Sequence, residues 1–100
     1  MLYIVNKSPF AGQALQSCLL HVRDGVAVLL IEDAVYGVAK GTKLEAVSEA
    51  VAGGTKLYAL GPDLVARGML DNHIMEAVQI VDYEGFVDLV AEHEGVQTWL

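Results

Sequence analysis

One cysteine, Cys18, is all that this chain of 100 residues contains. A single thiol excludes an internal disulfide, and His21, His73 and His93 are too far apart in sequence to resemble a zinc-binding spacing. Neither a metal nor another cofactor is therefore expected. Basic residues are scarce and stop at Arg67, whereas Asp71, Glu76, Asp82, Glu84, Asp88, Glu92 and Glu94 follow it, and the formal net charge is −7. Affinity for nucleic acid rests on Lys and Arg displacing counterions from phosphates, so direct contact with RNA or DNA is disfavoured. No apolar run approaches the roughly 20 residues of a membrane span. The N-terminal MLYIVNKSPF has neither a basic leader region nor a small-residue cleavage site, so the expectation is a cytoplasmic protein with no membrane partner. Internal repeats, low-complexity linkers and a GxGxxG dinucleotide fingerprint are also missing.

What is present is apolar. Hydrophobic residues make up 54% of the chain and charged residues 19%, which excludes disorder and implies surface that meets another subunit. The length suits one domain over residues 1–100. LYIV (2–5), VAVLLI (26–31), KLYAL (56–60) and AVQIV (77–81) read as strands, the first two buried on both faces. Helical patterns lie between them at 12–22, near 34–39, at 44–52 and from Pro62 to about Arg67. YEGFVDLVAEH (83–93) is a last helix with Phe86, Val87, Leu89 and Val90 on one side and Glu84, Asp88 and Glu92 on the other. Strands alternating with helices predict an α/β fold, a single compact domain with a mostly parallel open sheet flanked by helices. VQTWL (96–100) is expected either to pack back on the domain or to insert in a neighbour, because exposing the Trp99 indole gains nothing.

Ligands of open α/β sheets bind beyond the carboxyl ends of the strands. Those ends carry Asn6-Lys7-Ser8, Glu32-Asp33, Gly61-Pro62-Asp63 and Asp82-Tyr83. Glu32 and Asp33 could form an acid/base pair, although Asp33 reads better as the N-cap of the following helix. GVAKGTK (37–43) is only a loose phosphate loop, with Lys and Thr in the wrong order. Pro62 and Asp63 are ordinary helix-start residues, and His21 is placed to cap carbonyls or face solvent. Cys18 sits at the margin of the stripe formed by Leu15, Leu19 and Val22. A reactive thiolate needs a helix N-terminus or an adjacent cation, and Cys18 lies past the first turn with His21 as its nearest candidate. Packing and a functional thiol both remain open on these residues.

NKSPF, SCL, VLLIEDAVYG, LYALGPDLVARG, IVDYEGFVDLV and VQTWL, in this order along nearly the whole chain, resemble the DsrH/TusB family. The resemblance implies a DsrE-like, Rossmann-like domain that acts as the small subunit of a DsrEFH or TusBCD sulfur-relay complex. It implies DsrE/TusD-like and DsrF/TusC-like partners in a heterohexamer, and persulfide transfer to a DsrC/TusE-like acceptor. The pathway would be sulfur oxidation or thiolation of the tRNA wobble uridine. In those complexes the principal sulfur-bearing cysteine belongs to the DsrE or TusD subunit. A cysteine matching Cys18 occurs in DsrH-like members and is missing from some TusB proteins, which tilts the resemblance toward DsrH without excluding the tRNA pathway. Together with its marginal place on the stripe and His21 one turn on, this makes Cys18 a candidate secondary sulfur carrier. The alternatives are a purely structural subunit that carries no sulfur and a stand-alone small-molecule-binding module. Carriage sets a physical condition: a persulfide adds one sulfur atom and prefers the anionic form, so its site has to be partly open.

Overall fold

A computed structural model describes residues Met1–Leu100. Five strands, β1 (Leu2–Val5), β2 (Ala27–Leu30), β3 (Lys56–Leu60), β4 (Gln79–Val81) and β5 (Val96–Trp99), form one parallel sheet in the order β4-β3-β2-β1-β5. The centre explains why the apolar runs carry no alternation. All four residues of β2 are buried, because both faces of this strand are covered and both edges are paired.

Helices α1 (Ala14–Leu20), α2 (Glu45–Ala52) and α3 (Gly61–Ala66), with a 3₁₀ helix at Glu32–Val38, share one face of the sheet. There Leu15, Cys18, Leu19, Val35, Val38, Val47 and Leu64 pack on Val5, Val28, Leu30, Leu57 and Ala59. The opposite face has one helix, α4 (Tyr83–Glu92), whose Leu89 and Phe86 pack on Leu2, Ile4, Ala27 and Leu29. Asp82 starts α4 by accepting the Gly85 N–H at 2.7 Å, a side-chain cap that satisfies one of the free N–H groups of the first turn.

Two sequence expectations change, and one alternative is decided. The segment near 34–39 is a 3₁₀ helix, held tight because Gly37 lets it approach α1: a Cβ at Gly37 would stand 2.5 Å from Leu15 Cδ2. VQTWL packs back on the domain as a fifth strand in register with β1, Leu2 beside Val96 and Val5 beside Trp99. The apolar side of α4 divides: Phe86 and Leu89 face the sheet, while Val87 is 65% and Val90 37% exposed.

Candidate functional site

Cys18 lies in the middle of α1, on the face turned into the larger core. Its relative exposure is 0%, and Leu15, Leu19, Val5 and Val28 belong to the same buried cluster. Burial pushes the thiol up to about 12, since a thiolate would lose its hydration with no charge nearby to replace it. His21, the one candidate activator, is turned to other work. Its Nδ1 donates to the Ser17 carbonyl at 2.7 Å, and its ring lies 5.3 Å from that of Trp99. Trp99 also meets Tyr3 edge-on at 5.5 Å, which ties β5 to β1 and α1 together. The thiol thus sits under a lid of packed side chains and is protonated at neutral pH.

At the carboxyl ends of β2 and β3, the residues named from the sequence converge, but on each other. Asp63 Oδ2 accepts the Glu32 N–H at 2.6 Å, and Arg67 Nε donates to Asp33 Oδ1 at 2.9 Å. Arg67 also donates through its guanidinium to the Asp63 carbonyl at 3.0 Å. The expectation that Asp33 is an N-cap is corrected: Ile31 occupies the cap position, Asp33 lies in the first turn, and the carboxylate of Asp63, just past the neighbouring strand β3, takes up the Glu32 N–H. Glu32 has φ 50°, a left-handed conformation that costs a residue with a side chain about 1–2 kcal/mol, so this brace offsets local strain. Asp33 is thus engaged by Arg67 and is not set opposite Glu32 as an acid/base pair would be.

The other strand ends stay apart from this cluster. Ser8 Oγ accepts the Phe10 N–H, and Asp82 caps α4. GVAKGTK does not cradle anything: Gly37 is buried in the 3₁₀ helix, the Lys40 N–H donates to the His73 carbonyl, and Thr42 Oγ1 donates to the Tyr36 carbonyl. No three His, Cys, Asp or Glu side chains come together as a metal site would need. A groove of about 430 Å³ lies instead at the amino ends of β2 and β3, lined among others by Arg23, Asp24, Lys56, Tyr58, Glu92 and His93. Sequence reasoning missed it, since its walls are two short turns and the end of α4, distant in sequence. Its lining carries Arg23 and Lys56 against Asp24 and Glu92, so the charges balance and leave little net field for an ionic ligand.

A fold with an enclosed thiol and braced carboxylates assigns no chemistry by itself, so kinship decides more. The family model described as DsrH like protein matches residues 7–96. The chain belongs to the DsrH family. It is 35% identical over 99 residues to Protein TusB of Photorhabdus laumondii, covering 99% of this chain and all of that one. With Protein TusB of Pectobacterium parmentieri it shares 33% over 99 residues, and with that of Escherichia coli 32% over 100 residues, at the same coverage. Among solved structures it is similar to the ychN protein from E. coli, with a TM-score of 0.82 at 17% identity over 98% of this chain and 97% of that one. A protein of unknown function from Methanobacterium thermoautotrophicum follows at a TM-score of 0.70 and 19% identity, covering 97% of this chain and 95% of its own. These two likenesses establish the fold: an open parallel sheet flanked by helices, as the sequence had implied. No helix of this DsrH-family chain is long and apolar enough to cross a membrane.

Proposed function

We propose that the chain is a non-autonomous subunit of a DsrEFH- or TusBCD-like sulfur-relay complex, cytoplasmic, assembled with DsrE/TusD-like and DsrF/TusC-like subunits and serving a DsrC/TusE-like acceptor. The observation that carries this reading is the match to Protein TusB along the full length of both chains. The absence of any catalytic cluster at the strand ends is consistent with a subunit whose chemistry is completed elsewhere. Relatives named TusB favour the tRNA-thiolation branch over sulfur oxidation.

Within that complex two roles divide on one residue. Cys18 as a secondary sulfur carrier would require α1 to move, because the folded chain leaves its thiol no exposure and holds its proton. A structural role, completing the hetero-oligomer, requires no such motion, and the enclosure of Cys18 favours it. Co-expression with the two related subunits tests the assembly. One hetero-oligomeric peak containing all three chains is expected on size exclusion, stable to dilution into the nanomolar range. A monodisperse monomer that ignores both partners would refute the subunit reading.

A further inference from the structure

One side of α4, between its sheet-facing residues and its acidic face, is apolar and exposed. Tyr83, Val87 and Val90 stand at i, i+4 and i+7, so they line up over successive turns, and their exposures are 63%, 65% and 37%. With Phe86 and Leu89 beneath, the apolar arc spans about 160° at roughly 100° per residue, well beyond the stripe that one packed face needs. Single exposed apolar residues are ordinary, but an aligned row marks an interaction surface. Along one flank of the row run Glu84, Asp88 and Glu92, all exposed. None of them has an internal partner: the single ion pair of the chain joins Arg67 to Asp33, and the one carboxylate of this region that caps backbone is Asp82.

Charge selects the occupant. A second copy docked face to face would bring these carboxylates against their own kind, with no Lys or Arg anywhere in residues 68–100 to compensate. An anionic lipid surface would be repelled for the same reason. Resting on the reading of the chain as a complex subunit, we propose that this apolar side of α4 docks a polypeptide surface whose apolar centre is rimmed on one side by Lys and Arg. Tyr83, Val87 and Val90 supply the buried contact, while Glu84, Asp88 and Glu92 steer the encounter and set its orientation.

The test uses the full chain, titrated in a salt series against three probes: the DsrE/TusD-like subunit, the DsrF/TusC-like subunit and the DsrC/TusE-like acceptor of the same organism. The variants are Val87→Ser and the double change Glu84→Lys with Asp88→Lys, at positions that face solvent, with circular dichroism and melting to verify folding. For one probe, the charge reversal is expected to weaken binding about tenfold at low salt and to flatten its salt dependence. Val87→Ser should weaken the same complex about fivefold while leaving the salt slope as it was. If the wild type binds its probes and both variants stay within about twofold of it, the α4 surface is refuted and the subunit reading stands. If the wild type binds none of the three, the docking proposal and the subunit reading both fail. Self-association that Val87→Ser abolishes would overturn the basic partner in favour of a second copy.

Discussion

A thiol held protonated to about 12 has a thermodynamic consequence that can be read without any knowledge of function. In the unfolded chain Cys18 titrates near its ordinary value of 9.0, and in the folded chain near 12, so between those values the folded state binds more protons than the unfolded one. Stability is therefore fully present below about pH 9 and declines above it, by about 1.4 kcal/mol for each pH unit climbed, until the folded thiol itself ionises. Comparing wild type with Cys18→Ala in denaturant unfolding from pH 8 to 10 isolates this contribution from those of Tyr and Lys. The wild type should lose more stability over that interval, and equal slopes would show an open thiol. Alkylation gives an independent reading: the native thiol should resist a maleimide at neutral pH and react rapidly once unfolded. The position of Cys18 on the helix was legible in the sequence, but its depth was not. Leu15, Leu19 and Val22 place it at the edge of a stripe, and only the arrival of Val5, Val28 and the rest of the larger core closes that edge. Asp33 shows the same limit, since an acidic residue at the start of a helical pattern reads as a cap whether or not a distant Arg67 claims it first.

At the scale of elements, legibility followed burial. Strands β1 to β3 are short runs of apolar residues between turns, and that pattern needs no tertiary information. VQTW does not share it. An edge strand pairs on one side only, so Gln97 and Thr98 are tolerated on its exposed surface, and its strand character comes from the register with β1 rather than from its own composition. The 3₁₀ helix at Glu32–Val38 was likewise hidden, because what tightens it is the contact between Gly37 and Leu15. If β5 is integral to the sheet, its indole should hold it there. Trp99 is partly buried against Tyr3 and His21, so Trp99→Ala should cost about 2 kcal/mol of unfolding free energy, below the range for a wholly buried tryptophan. Denaturant unfolding followed by circular dichroism measures it. A loss under about 0.5 kcal/mol would mean that β5 contributes little to the sheet.

For the molecule as a whole, the uneven covering of the sheet is the feature that carries furthest. Three helices and a 3₁₀ segment shield one face, and α4 alone shields the other, with its own apolar row left bare. The same asymmetry bears on sulfur. Carriage at Cys18 would begin with its thiolate attacking the outer sulfur of a donor persulfide, forming a new S–S bond as the donor's S–S bond breaks and its thiolate leaves. Both requirements, ionisation and room for one more sulfur atom, are denied by the packing of α1 on the sheet, the more thickly covered side. If the chain's role is structural, the assembled complex treated with a persulfide donor should show no mass gain on the peptide carrying Cys18, and Cys18→Ala should transfer sulfur to the acceptor at the wild-type rate. The decisive version replaces the principal cysteine of the partner subunit with Ser, so that any sulfur found on Cys18 must have been loaded directly. A gain of one sulfur atom there, together with a rate that falls in Cys18→Ala, would require that assembly lifts α1 from the core. Backbone hydrogen exchange along Ala14–Leu20 would then be faster in the complex than in the free chain, whereas a structural subunit should show it unchanged or slower.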